Sequence, residues 1–179
     1  MDIEQHYIDL YRSMHEDKKT YQGVSLFKET PNIANIVLIT NSQTVLDYGC
    51  GKGSQYTDSH LNILFHINDE NIYMYDPGFP EHENIPEGKF DGVISTDVLE
   101  HIPEEIIPKI LDEIYSKANK FVYLAICTRL AHAILPNGEN AHCTVKEPDW
   151  WEKHIIKSNK NKIHTEVHWY GNHNDYRKY

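Results

Sequence analysis

The sequence predicts an α/β fold, a mostly parallel sheet with helices on both faces, and three observations lead there. Short apolar, β-branched runs alternate with stretches of helical periodicity, the pattern of strands joined by crossover helices. The 179 residues match the length of one ordinary domain, and a 40% hydrophobic content is enough to bury one core. No internal repeat or low-complexity tract interrupts the alternation.

The elements follow in order. Ile3, Tyr7, Leu10, Tyr11 and Met14 fall on one face of an amphipathic helix. The polar stretch "HEDKKTYQGVSLFKE" leads to a second apolar-periodic segment, "NIANIVLIT", which the spacing predicts as a helix starting after Pro31. From there "TVLDYG" reads as a buried strand, "SQYTDSHLNILFHI" as a helix, "NIYMYD" and "FDGVIST" as strands, "IPKILDEIYSKA" as a helix and "KFVYLAIC" as a strand. Pro108 fits the first turn of a helix beginning near Ile107, with a short turn from Pro103 to Ile106 before it. In "EPDWWEKHI", Trp150, Trp151 and Ile155 offer a short helix an apolar face, and "IHTEVHWY" alternates as a last strand. This organises residues 1–179 as a single domain, with a helical lid over 1–43 and a core over 44–179. The short closing segment leaves a sheet edge on which a second copy can pair, so a homodimer is one expected assembly.

Charge narrows the partners. A formal charge of -10, from 17 basic against 27 acidic residues, argues against nucleic acid and against an anionic membrane. A small-molecule substrate is expected instead. No apolar run approaches the ~20 residues of a membrane span. The start "MDIEQHYIDL" is acidic where a signal peptide is basic and then apolar, so the expected location is cytoplasmic. Cys50, Cys127 and Cys143 lack CxxC spacing and read as reduced thiols. His164, His168 and His173 bring no motif-defined further ligand, so no metal is expected from the sequence.

The most informative segment is "VLDYGCGKG", a strand ending at Asp47 that passes through Gly49, Gly51 and Gly53 into a helix. Glycines let the backbone take positive φ and approach a ligand closely, while the helix N-terminus offers N–H donors. A dinucleotide fingerprint is spaced GxGxxG; here it is GxGxG behind an acid. A carboxylate there repels a pyrophosphate and suits a cationic amino group.

Together "VLDYGCGKG", "YMYDPG" and "FDGVISTDVLEHIP" resemble the motifs of the class I S-adenosylmethionine-dependent methyltransferases, across roughly residues 45–127. "DVLEHIP" is similar to the segment after the fourth strand in the small-molecule, ubiquinone-methylase-like group. The resemblance implies a Rossmann-like fold and S-adenosyl-L-methionine as cofactor. It implies that Asp47, Gly49, Gly51 and Gly53 line the methionine part and that Asp76 holds the ribose hydroxyls. Asp97 and His101 sit just beyond a strand's carboxyl end, where open α/β sheets bind ligands. Residues 77–89 are too few for the helix, strand and connection the family places there, so a compact variant lacking the usual second helix and third strand is expected. Adenine recognition then falls to "PGFPEHENIP", for instance by stacking on Phe79.

Methyl transfer asks for an in-line nucleophile, water exclusion and sometimes a base. Tyr21 and Lys19 are candidates to reach the cofactor carboxylate or close the pocket. In "LPNGENAHCTV", His142 is the candidate base, with His101 as a second, and Glu139 and Asn140 are candidates to hold a polar acceptor. The expected activity is methyl transfer to a small polar molecule. Cleavage or cyclisation of the same cofactor, and cofactor or partner binding without turnover, are the competing readings.

Overall fold

The computed structural model describes residues 2–16, 25–57 and 65–179. In chain order these form α1 (Ile3–His15), α2 (Leu26–Ile39), β1 (Val45–Tyr48), α3 (Ser54–Thr57), β2 (Ile72–Tyr75), β3 (Phe90–Thr96), α4 (Ile107–Lys117), β4 (Ala118–Cys127), α5 (Pro148–Ser158), β5 (His164–Tyr170) and β6 (Asp175–Lys178). One six-stranded sheet runs β2-β1-β3-β4-β5-β6. All pairings are parallel except the last, β5 with β6.

Two apolar layers sandwich the sheet. On one face Leu46, Val93, Val122, Leu124 and Val167 pack against Ile107, Leu111 and Ile114 of α4 and Trp151 and Ile155 of α5. On the other, Val45, Ile94, Phe121 and Tyr123 pack against Leu26, Ile33, Ile36 and Val37 of α2, with Tyr56 and Phe65. Successive strand residues point to opposite faces, which is why Leu46 and Tyr48 belong to the first layer and Val45 to the second.

One expectation is corrected. The second helix begins at Leu26, not after Pro31, and Pro31 lies inside it. A proline there removes one backbone hydrogen bond and costs about 3 kcal/mol. Burying Leu26, Ile33 and Ile36, all 0% exposed, returns roughly 1.5–3 kcal/mol each and outweighs that cost. It follows that α2 is a layer of the core, while α1 has no buried residue.

From Asp76 to Lys89 there are only turns and bends, so β2 is an edge strand and the chain passes to β3 with no helix or strand between. The expected compact variant is what folds. No described helix is long and apolar enough to cross a membrane.

Candidate active site

At the carboxyl ends of β1, β2 and β3 the backbone turns sharply away from the sheet. Gly49, Gly51 and Gly53 take φ of 87°, 59° and 64°. Both Gly49 N and Cys50 N donate to Tyr75 O, at 2.7 and 3.1 Å, so the loop after β1 is fastened to the end of β2. A Cβ on Gly49 would stand 2.3 Å from Val98 Cγ2, in the segment after β3, so the close approach of these two loops requires glycine.

Asp76 ties the same region together from the end of β2. Its Oδ2 accepts Gly51 N at 2.9 Å and its Oδ1 accepts Gly78 N at 2.8 Å. A carboxylate has about four lone-pair sites, so each oxygen keeps one for a ligand hydroxyl. After β3, Asp97 sits at φ 64°, a left-handed conformation that Asp tolerates better than most residues, and its Oδ1 accepts the Tyr170 hydroxyl.

These loops surround a cavity of ≈ 390 Å³, within the usual range for small-molecule sites. Gly49, Cys50, Gly51, Gln55, Asp76 and Asp97 form its floor, and Tyr48, Tyr75, His101 and Ile110 form its flank. The roof is α1, through Glu4, Tyr7, Ile8, Tyr11 and His15. Three carboxylates, Glu4, Asp76 and Asp97, line the space, and among its described lining residues there is no Lys or Arg.

Contacts at both ends hold α1 over the cavity. Tyr7 OH donates to Glu139 Oε2 at 2.5 Å and Tyr11 OH to Ala141 O at 2.7 Å, both in the loop after β4. Arg12 reaches Pro77 O at 3.0 Å and Glu83 Oε2 at 2.8 Å in the loop after β2.

A family model described as a methyltransferase domain matches residues 19–171. The chain belongs to this family. The parallel sheet and its glycine loop place it among the class I, Rossmann-like, S-adenosylmethionine-dependent methyltransferases. No curated protein matches the chain.

In this methyltransferase the structure brings Gly49, Gly51, Asp76, Asp97 and His101 to the cavity wall, whereas Asp47, Gly53, Glu139, Asn140 and His142 do not line it. Gly53 shapes the entry to α3, where a Cβ would meet Met74 Sδ at 2.6 Å, and does not line the cavity. Asp47 is also absent from the wall: it points to the α2 side of β1, 1% exposed, where its Oδ2 accepts Gln55 Nε2 at 3.1 Å and Tyr56 OH at 2.8 Å. Burial raises its pKa to about 7, with Tyr56 pulling the other way, so it is poorly suited to be a standing anion at neutral pH. Asp47 therefore positions Gln55, which does reach the cavity.

The loop after β4 lies largely outside the cavity lining. Glu139 and Asn140 do not line the cavity. Glu139 is exposed and anchors Tyr7, while Asn140 staples its own loop: Oδ1 accepts Ala131 N and His142 N, each at 2.9 Å, and Nδ2 donates to Ala131 O at 2.9 Å. His142 is 8% exposed and lies behind the wall, its Nδ1 2.7 Å from Arg129 O. Of the two candidate bases, only His101 faces the cavity. Burial, then the neighbouring His142, push the His101 pKa below the ordinary imidazole value, which leaves a neutral ring able to accept a proton.

Phe79 meets His15 and His82 at a tilt of 49°, ring centroids 5.6 Å apart in both cases, and is not on the wall. Tyr21 and Lys19 lie outside the described residues. Cys143, donating to His101 O at 3.2 Å, is held as a thiol by burial, its pKa pushed up to about 11. What sequence reading missed are the aromatic walls: Tyr11 on α1 was visible as an amphipathic position, and Tyr75 closes "NIYMY" beside Asp76.

Proposed function

We propose that this methyltransferase binds S-adenosylmethionine in the cavity beneath α1 and transfers its methyl group to a small polar acceptor. The observation that carries the reading is the sign of the lining: Glu4 is paired with Lys109, but Asp76 and Asp97, with no Lys or Arg among the described lining residues, favour a cationic ligand over a phosphorylated one. S-adenosylmethionine supplies a methyl group already activated on a positively charged sulfur. What remains for the protein is to orient, exclude water and accept a proton.

The residues divide that work. Asp76, with a lone pair left on each oxygen, accepts the ribose hydroxyls. Gly49, Cys50 and Gly51 let backbone approach the methionine part, and Gln55, held by Asp47, offers its amide to the same end. Tyr48 and Tyr75, packed edge-on with centroids 5.0 Å apart, give an apolar face for the purine. Helix α1 is the lid that excludes water, and His101 takes the proton that the acceptor sheds as it is methylated.

Calorimetry with S-adenosylmethionine and with NAD, followed by product analysis against a panel of small hydroxyl, amine and thiol acceptors, tests this. Binding of the sulfonium cofactor and formation of S-adenosylhomocysteine only when an acceptor is present is the expected result. Binding of NAD alone defeats the cofactor assignment, and methylthioadenosine without a methylated acceptor replaces the transferase with a lyase.

A further inference from the structure

Behind the His101 wall three side chains of different chemistry meet. Glu100, in the short 3-10 turn after β3, Cys127, at the end of β4, and His142, in the loop that follows, each bring one donor atom to a point where all three donors lie within 4.8 Å of one another. All three residues are buried: Glu100 and Cys127 are 0% exposed and His142 8%. The elements that supply them are separated in sequence, so the meeting is made by the fold and not by local chain geometry.

A second observation is independent of that proximity. Glu100 Oε1 accepts Cys127 N at 2.8 Å and the Tyr170 hydroxyl at 3.3 Å, whereas Oε2, equally buried, accepts from no donor among the described residues, with the Asp97 carboxylate as a close neighbour of the Glu100 side chain. An unpartnered carboxylate oxygen in a dry interior costs at least about 1–3 kcal/mol, and such an atom in a folded protein calls for a ligand. From this cluster and its unpartnered oxygen we infer that Glu100, Cys127 and His142 form a binding site for a divalent transition-metal ion, with Zn²⁺ the best match to the donor set.

The donor chemistry selects the ion. Carboxylate, thiolate and imidazole together suit Zn²⁺ and its first-row neighbours and are a poor set for Mg²⁺ or Ca²⁺, which take oxygen ligands. Bonds of about 2.0–2.3 Å place tetrahedral donors roughly 3.5 Å apart, so any pair of donors closes in by at most about 1.3 Å. One carboxylate and one thiolate balance a 2+ charge, which resolves the burial of Glu100. Three protein donors leave a fourth position. Beside the cluster stand Asp97, whose carboxylate shares the Tyr170 hydroxyl with Glu100, and His101, whose ring is 4.6 Å from that of His142. Both line the cavity, so the ion sits one side chain behind the proposed site of chemistry.

The site stands independently of the methyl-transfer reading, and its test is read without turnover. The full chain, stripped with a chelator and dialysed, is titrated with Zn²⁺, and in separate arms with Mg²⁺ and with Co²⁺. The expected result is one Zn²⁺ per chain, at least about ten-fold weaker in Glu100→Gln, Cys127→Ser and His142→Ala, and no comparable Mg²⁺ binding. The Co²⁺ complex shows a thiolate-to-metal charge-transfer band that disappears in Cys127→Ser and survives in Cys143→Ser. Far-ultraviolet circular dichroism checks that each variant is folded, and the Co²⁺ band of the unaltered chain reads the thiolate without any variant. Absence of stoichiometric binding overturns the site, as does a Co²⁺ complex lacking the charge-transfer band or Zn²⁺ affinity unchanged in all three variants.

Discussion

The rings of His101 and His142 meet at 88° with centroids 4.6 Å apart, and only the first of them faces the cavity. In the proposed reaction that order makes His101, not His142, the imidazole that takes a proton from the acceptor. His101→Gln is expected to lower kcat about 100-fold or more, the usual worth of a general base, while leaving the cofactor Kd within about three-fold. Single-turnover rates beside calorimetric Kd values check it, and equal losses in both would remove His101 from the acceptor side.

The same pair makes a pH prediction. Burial is the largest cause holding each imidazole below its ordinary pKa, so the base form is already present at neutral pH. The acid limb of the kcat/KM profile should therefore fall at a pH below the ~6.5 of a free imidazole. A limb at or above that value would mean that another group titrates, or that the ring is more solvated than the fold shows.

Asp76 carries the next prediction, because it serves ligand and loop at once. Asp76→Ala removes the acceptor of Gly51 N and Gly78 N as well as the proposed partner of the ribose. Hydrogen bonds to a charged group contribute roughly 1.5–3 kcal/mol, so cofactor affinity should drop about ten- to a hundred-fold. Asp76→Asn keeps an acceptor for one N–H and should fall between the two, and a Kd unmoved by either change would take the ribose away from this residue.

Gly49 is tested through its neighbour. Alanine there must hold φ of 87° and place a Cβ 2.3 Å from Val98 Cγ2. Backbone strain of about 1–2 kcal/mol and overpacking of about 1–3 kcal/mol add, so Gly49→Ala should lose on the order of 2–5 kcal/mol of stability. Val98→Ala in the same chain removes both Cγ atoms and should restore part of that loss, leaving the φ cost. Strict additivity of the two changes in urea melts would show that the clash is relieved some other way.

What the sequence made legible and what it hid divide along a physical line. The strand and helix alternation, the glycine turn and the absence of a helix and strand between Asp76 and Phe90 are local or nearly so, and each is read from periodicity, residue type or chain length. That His142, Glu139 and Asn140 lie off the cavity lining depends on how an irregular loop folds back after β4, where no periodicity guides a reading. Helix α2 starts before Pro31 because burial of Leu26 outweighs a local rule. Gathering Glu100, Cys127 and His142 is a purely tertiary event, invisible in spacing.

Asp47 shows both sides of that line. Its neighbour two residues earlier, Val45, packs under α2, and the two-residue period of a strand already puts Asp47 on that face, covered by Gln55 and Tyr56. There burial raises its pKa from the ordinary 3.8 to about 7. A raised acid means that the folded state holds a proton which the unfolded chain has released between these two values, so stability falls as pH rises through that window and levels off above it. Each pH unit within it is worth about 1.4 kcal/mol, so this group alone should cost on the order of 2–4 kcal/mol between pH 5 and pH 8. Asp47→Asn cannot ionise and still offers an oxygen to Tyr56. Thermal or urea melts at the two pH values should show the variant gaining on the unaltered chain as pH rises, and parallel pH dependence in both proteins would mean that Asp47 ionises normally in the folded state.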